Sequence, residues 1–229
     1  MTPRFFILLF VIAAFASCDF KSAATYLQES KLAGENGDYN HAITLLNKAI
    51  DKNPKFKEAY IQRGLYYENL HHEDSALYNY TTLLSFDSAN TIALYHSGLC
   101  KFKQKKFDEA IANYNKALVI KGIPNPSDTS LVLVLADVNK NNVAAAEPAL
   151  TVSAVQLFYD RGWAYYSSEQ IERAYHDFRT CIAQKYNLDE CFYMSGLCWQ
   201  AATKKACDAF KKGATYGSMA SNHSLPLCR

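Results

Sequence analysis

Several signals that would point to other classes of protein are scarce or missing in this sequence. Its 24 Lys and Arg nearly balance 22 Asp and Glu, and no extended basic block occurs, so a nucleic-acid surface is not predicted. Only six prolines and nine glycines interrupt a chain that is 49% hydrophobic, which is not the composition of a disordered protein. We therefore expect a folded chain that does not bind nucleic acid.

Motifs for catalysis and metal binding are missing as well. The sequence has no Gly-x-Ser-x-Gly, no phosphate-binding glycine loop and no His-Glu-x-x-His. Its cysteines and histidines show no zinc-type spacing, and the adjacent His71 and His72 cannot chelate as a helical i, i+4 pair. We expect no enzyme, no metal or other cofactor, and no small-molecule substrate.

The long hydrophobic run of the chain lies at its N-terminus. Arg4 precedes an uninterrupted apolar stretch over residues 5–15. This stretch is shorter than the roughly 20 residues that a membrane helix needs. Residues 1–17 therefore predict a cleaved export signal.

The end of this run resembles the lipobox of bacterial lipoproteins, in the sequence Phe15-Ala16-Ser17-Cys18. The resemblance implies that Cys18 becomes the first residue and carries diacylglycerol, with residues 18–22 as a lipidated tether. The protein would then be anchored in the bacterial cell envelope, on the inner or outer membrane and facing the periplasm. Ala14-Phe15-Ala16 also fits an ordinary signal peptidase site, in which case the protein is secreted and soluble.

Small residues recur along the chain at intervals of 34 residues. They are Gly64 and Gly98, Gly162 and Gly196, and Ala42, Ala76 and Ala110. An aromatic residue stands four positions after Ala76 and Ala110, at Tyr80 and Tyr114. The interval from Gly98 to Gly162 is one period plus 30 residues, so residues 125–154 form an insertion between two blocks that remain in phase.

This pattern resembles the tetratricopeptide repeat, a pair of antiparallel helices A and B. The resemblance implies an all-α fold, a right-handed α-solenoid, with repeats 1–3 over residues 23–124, repeats 4–5 over 155–222 and a tail over 223–229. Small residues are expected where helices A and B cross closely, and the aromatic residue between one hairpin and the next. The last repeat is degenerate: Ala206 and Phe210 keep the helix B spacing, but the turn from A to B is two residues shorter.

The insertion over residues 125–154 has two interpretations. It is a degenerate hairpin with its helix A over residues 129–138, or a long loop that lies in a groove or contacts a partner.

The resemblance also implies that successive A helices line a groove, into which fixed repeat positions point. These predicted groove residues are Ile61, Leu65, Tyr95, Leu99, Phe102, Tyr159, Trp163, Tyr166, Tyr193 and Leu197. Such an apolar, aromatic groove suits an amphipathic helix or an extended apolar peptide of another protein. The alternative is that some of these aromatic residues only pack between repeats.

Six cysteines besides Cys18 remain, an even number that suits an exported protein. Cys181 and Cys191 stand at the end of one hairpin and the start of the next. They resemble the inter-helix bridge of Sel1-like repeats, which implies a disulfide between them. The C-terminal end likewise resembles a closing segment in which Cys207 pairs with Cys228. Cys100 and Cys198 are expected to be buried thiols.

The function predicted from these features is a membrane-anchored interaction scaffold or adaptor. Its size and architecture are similar to the tetratricopeptide lipoproteins of outer-membrane assembly and pilus biogenesis, which implies a place in an envelope assembly or secretion complex. The alternative is a Sel1-like enzyme, or enzyme regulator, that acts on cell-wall material.

Overall fold

A computed structural model of the chain describes residues 20–123 and 151–215, with side chains as far as residue 204. The regular secondary structure of these ranges is entirely α-helical, which confirms the all-α fold class. The helices are α1 (Ala23–Glu35), α2 (Tyr39–Lys52), α3 (Lys57–Asn69), α4 (Glu73–Phe86), α5 (Thr91–Lys103), α6 (Phe107–Ile120), α7 (Ala154–Ser167), α8 (Ile171–Ala183) and α9 (Leu188–Thr215). The predicted export signal, Cys18, Cys228 and the side chain of Cys207 lie outside the described residues.

Polar residues fix where several of the helices begin. A side-chain oxygen accepts a hydrogen bond from the backbone N–H three residues later at Ser22, Asp38, Asn90 and Ser153. Each of these bonds satisfies a donor that the first helical turn leaves without a partner. The A helices α1, α5 and α7 therefore start within one residue of the repeat boundaries that the 34-residue period predicts.

The turns between A and B helices share one backbone feature. Position 15 of each of the first four repeats has a positive φ, between 57° and 78°, at Gly37, His71, Lys105 and Glu169. Where the structure gives the closing bond, the next N–H reaches back to the carbonyl five residues earlier, as in Lys106 to Lys101 at 2.9 Å. A left-handed residue with this bond is a common way to end a helix, and here it reverses the chain.

The chain divides into two compact units, one up to His71 and one from His72 onward. In the first unit α1 and α2 form a hairpin, and α3 packs against both. The Tyr66 hydroxyl donates to the Ser30 carbonyl at 3.1 Å, and its ring occupies the space beside Gly34. Any side chain at Gly34 would therefore displace α3 from α1.

In the second unit each helix from α4 to α9 packs on the next one along the chain. Close contact within the hairpins depends on the glycine ladder: a Cβ on Gly98 would lie 2.5 Å from Tyr114, and one on Gly162 would lie 3.2 Å from Phe178. Small residues thus stand where A and B helices cross. The expectation that the aromatic residue fills the gap between hairpins is wrong for these two, because each packs on the glycine of its own hairpin.

The insertion does not separate the repeats that flank it. Helix α7 packs directly on α6, and Ile123 and Val152, at the two ends of the insertion, are both buried in the same core. The Arg161 guanidinium on α7 also donates to Asn115 on α6 at 2.6 Å. Residues 124–150, with the helix predicted over 129–138, lie outside the described residues.

The last repeat departs from the predicted hairpin, because α9 continues as one helix through the expected turn. Its position 15 is Thr203, and a β-branched residue strongly disfavours the left-handed conformation that the other turns use. The Thr203 hydroxyl instead donates to the carbonyls of Trp199 and Gln200, as within a helix. None of the helices in the described ranges is both long enough and apolar enough to span a bilayer.

Candidate partner-binding face

The A helices of the second unit present a row of apolar side chains at matching repeat positions. We call this set the aromatic face: Leu99, Phe102, Tyr159, Trp163, Tyr166, Tyr193 and Leu197. All but one of these side chains are half-buried against the core, whereas Tyr193 is 66% exposed. The face therefore combines fixed positions with apolar surface that remains open to solvent.

Three predicted groove residues lie outside the aromatic face. Ile61 and Tyr95 are only 4% and 5% exposed, so they pack in the core and offer a partner little surface. Leu65 is half-buried and belongs to the first unit. The alternative that some groove positions only pack between repeats applies to Ile61 and Tyr95.

The centre of the aromatic face is held by contacts between rings. Trp163 meets Tyr166 edge to face, with ring centroids 6.3 Å apart. It also meets the buried Phe178 edge to face at 6.0 Å, and Tyr159 meets the same ring at 6.4 Å. Such pairs restrict each ring to one orientation. The surface offered to a partner is thus preformed.

A repeated hydrogen bond links consecutive A helices beneath this face. The Tyr95 hydroxyl accepts from Gln156 Nε2 at 2.7 Å, and the Tyr159 hydroxyl donates to the Glu190 carboxylate. Burial, followed by Glu190, raises the pKa of Tyr159 to about 12, so its hydroxyl stays protonated at neutral pH. Both bonds join position 5 of one repeat to position 2 of the next, a pairing that the 34-residue period could have revealed.

One carboxyl group in this region is poorly satisfied. Burial raises the pKa of Asp160 to about 6, while the Tyr95 hydroxyl and His96 oppose that shift. Its Oδ2 atom is buried and has no hydrogen-bond partner. Asp160 therefore destabilises the fold when it is ionised, and nothing in the sequence pattern singles it out.

A buried ion pair holds repeat 4 together. The Arg161 guanidinium donates two hydrogen bonds to the Asp177 carboxylate, at 2.8 and 2.7 Å, and both side chains are almost completely buried. The guanidinium also lies 5.0 Å from the Phe158 ring centroid. With the bond to Asn115, this arginine joins α7 to both α6 and α8.

The predicted disulfide between Cys181 and Cys191 is not formed in the structure. Both are buried free thiols: Cys181 donates to the Val155 carbonyl at 3.6 Å, and Cys191 to the Tyr186 carbonyl at 3.4 Å. Cys100 and Cys198 are buried free thiols, as expected. Burial raises the pKa of Cys181, Cys191 and Cys198, so these thiols remain protonated and unreactive near neutral pH. Within the described ranges no group of three or more His, Cys, Asp or Glu residues could hold a metal ion.

Sequence comparisons identify the repeats. Residues 23–56 and residues 92–119 each match a model described as tetratricopeptide repeat. Tetratricopeptide repeat protein 1 of Schizosaccharomyces pombe is 32% identical to this chain over 99 residues, which are 41% of this chain and 9% of that protein. The chain thus spans less than a tenth of that relative's length.

Solved structures show the same fold. A crystal structure of the MamA protein matches with a TM-score of 0.61 and 18% identity, over 85% of this chain and 94% of that one. MamA from Desulfovibrio magneticus RS-1 gives 0.58 and 18%, over 83% and 92%. Pseudomonas aeruginosa PilF gives 0.53 and 14%, over 90% and 89%. At these identities the likeness concerns the fold alone.

Tetratricopeptide repeats generally serve as protein interaction surfaces and not as catalysts. Two independent matches to the repeat and the helix-pair architecture agree with the ladder of small residues read from the sequence. This chain therefore contains tetratricopeptide repeats and has the architecture of a protein interaction scaffold.

Proposed function

We propose that the chain is a membrane-anchored scaffold that holds a helix or an extended apolar segment of another protein against the aromatic face. The observation that carries this proposal is the row of rings on α7, which is rigid yet only half-buried. Rigid aromatic side chains contribute most to protein interfaces, because they lose little conformational entropy on binding.

The surroundings of the face favour an apolar segment over a charged one. Leu99, Phe102 and Leu197 flank the rings of α7, and the Tyr159 hydroxyl is already used by Glu190. Repeat proteins that grip a C-terminal carboxylate do so with Lys and Asn at groove positions 5 and 9. None of the five repeats has that pair. An amphipathic helix, with apolar residues every three or four positions, would meet this surface well.

The test compares partner recovery between variants of the full chain, crosslinked in its host membrane and analysed by mass spectrometry. We expect Tyr159→Ala together with Trp163→Ala to reduce recovery of the specific partner at least tenfold. Because these rings also pack on Phe178, a second variant, Tyr193→Glu, changes only an exposed side chain and should weaken binding without loss of helix content. Tyr78→Glu, on another exposed aromatic residue, is the matched control. Full recovery with both face variants would refute the proposed binding face.

The membrane anchor is a separate part of the proposal and depends on the lipobox-like sequence at Cys18. Cys18→Ser should abolish incorporation of labelled fatty acid and move the protein from the detergent phase to the aqueous phase. A variant that still matures normally and still partitions into detergent would exclude lipidation. Partner binding by the aromatic face does not depend on that outcome.

A further inference from the structure

The last helix exposes side chains that the preceding repeat buries. Phe158 and Tyr165 on α7 are each 3% exposed, and Phe178 of α8 packs against Gly162 between them. One period later the equivalent residues of α9 are Phe192, Gly196 and Trp199. Phe192 is 60% exposed and Trp199 63% exposed, and no described atom outside α9 lies near the place of a Gly196 Cβ.

This exposure follows from the missing turn at Thr203. In the earlier repeats helix B folds back over the corresponding side of helix A, but α9 continues straight as far as Thr215. At 1.5 Å per residue, α9 is about 40 Å long, so its second half cannot reach its first half. The side of α9 that a B helix would cover is therefore open.

The sequence of the second half of α9 has the pattern of the missing B helix. The glycine and the aromatic residue of a hairpin are 16 positions apart at Gly98 and Tyr114, and again at Gly162 and Phe178. In the last repeat Gly196 and Phe210 are 14 apart, which is the same spacing with the turn shortened by two residues. Phe210 thus has the register to pack on a Gly196, but not on the one in its own helix.

The open side of α9 continues along the whole helix. Phe192, Gly196, Trp199, Thr203, Ala206, Phe210 and Gly213 follow one another at alternating intervals of four and three residues. This spacing places all seven positions on one face of an α-helix. The face alternates large and small residues, as a surface that packs closely on a second helix requires.

We propose that two copies of this chain form a dimer in which their α9 helices pair antiparallel along this face, each supplying the missing B helix of the other. Placing Phe210 of one copy opposite Gly196 of the other puts the twofold axis at Thr203. The same register places Trp199 beside Ala206 and Phe192 beside Gly213, so each large residue meets a small one. The contact is isologous and closes at two copies. Short hinge loops favour such an exchange of elements, and here the turn is two residues shorter than in the other repeats.

The first experiment is sedimentation velocity of the full chain in detergent. The wild type should have twice the mass of one chain, and Trp199→Glu should halve it because a charge cannot be buried in the helix pair. Tyr78→Glu adds the same charge at an exposed aromatic residue on α4 and should remain dimeric. A monomeric wild type, or a dimer that persists in Trp199→Glu, overturns the proposal, including the case where the chain's own C-terminal residues cover α9.

The second experiment tests how the dimer forms. Thr203→Gly, with two residues inserted after it, restores both the length and the left-handed residue of the other A to B turns. This variant should close its own hairpin and become monomeric while keeping its helix content. If it stays dimeric, the pairing does not depend on exchange of the B helix and the proposal is wrong.

The third experiment tests the register with a short lysine crosslinker on a mixture of ¹⁴N- and ¹⁵N-labelled chains. Links of mixed isotope composition should join Lys204 or Lys205 of one copy to the same region of the other, because both residues lie next to the proposed axis. Lys211 and Lys212 should not link to themselves, since the two copies of each are about 24 Å or more apart in this register. Self-links at Lys211 would indicate a parallel pair and contradict the model.

Discussion

The contact between Gly98 and Tyr114 leaves no space for a methyl group. A Cβ on Gly98 would lie 2.5 Å from the ring of Tyr114, which is completely buried and cannot move aside. Overpacking of this kind costs about 1–3 kcal/mol, offset by roughly 1 kcal/mol of helix propensity gained from glycine to alanine. We expect Gly98→Ala to lower the free energy of unfolding by about 1–2 kcal/mol in urea denaturation.

Gly162 provides the matched control, because its Cβ would lie 3.2 Å from Phe178, a contact that a small shift relieves. Gly162→Ala should change the free energy of unfolding by less than about 0.5 kcal/mol, since strain and helix propensity nearly cancel. Equal losses for the two variants would contradict this account of the glycine ladder.

Asp160 should make stability depend on pH. Its pKa in the folded chain is about 6, above the ordinary value of 3.8, so the fold binds this proton more tightly than the unfolded chain does. The resulting stabilisation is fully present below pH 4 and is lost as the pH rises through 6. Asp160→Asn should therefore raise the free energy of unfolding at pH 7.5 by on the order of 1–2 kcal/mol, allowing for partial exposure, and change it little at pH 4. An equal effect at both pH values would show that ionisation is not the cause.

The buried thiols should be inert in the folded protein. Cys100, Cys181, Cys191 and Cys198 are completely buried, and burial raises the pKa of Cys198 to about 11. Reaction with maleimide at pH 7 should then follow the opening of the fold and increase at least a hundredfold in denaturant. Peptide mapping without reduction measures each site separately, and rapid native labelling of Cys198 would contradict its placement in the core.

At the scale of single elements, the Arg161–Asp177 pair joins helices that the repeat pattern alone only places side by side. Removing one partner leaves a buried charge, which costs about 3–5 kcal/mol, whereas replacing both with apolar residues costs far less. We expect Arg161→Met and Asp177→Leu each to destabilise the chain by about 3 kcal/mol or more. The double variant should lose much less than the sum of the two, as measured in a double-mutant cycle by urea denaturation.

The elements that the sequence predicts well are those with a periodic cause. Helices α1 to α8 follow from the 34-residue ladder, because Gly98 and Ala110 each occupy a crossing where only small residues fit. The failure at α9 also has a local cause in Thr203. A count of repeat residues finds Ala206 and Phe210 in helix B register and predicts a hairpin, but it does not weigh whether position 15 can adopt a left-handed conformation.

At the scale of the whole molecule, the sequence locates the partner-binding face more reliably than it resolves its members. Position numbers within the repeat identify Tyr159 and Trp163, but they also select Tyr95, which packs in the core. Whether a groove position is open depends on the neighbouring repeat, here on the bond from Gln156 to the Tyr95 hydroxyl. A period of 34 residues does not encode that contact unless positions 2 and 5 of successive repeats are compared.

The insertion gives a prediction that separates folding from function. Because α7 packs directly on α6, the residues between them are not needed to keep the two helices in contact. Deleting residues 125–150 leaves seven residues, Lys121 to Pro124 and Thr151 to Ser153, to connect helices that α2 and α3 connect with four. The deletion retains the buried Ile123 and Val152 and the N-cap at Ser153.

We therefore expect the deletion variant to keep its helix content by circular dichroism and to unfold within a few degrees of the wild-type Tm. The closure entropy of a long loop changes slowly with its length, so shortening the connection should be neutral or slightly stabilising. A broad or early transition would show that residues 125–150 support the stack. If the variant is stable but loses the partner that Tyr193→Glu also loses, the insertion contributes to the same binding surface, because two changes far apart in sequence then abolish one interaction without unfolding the chain.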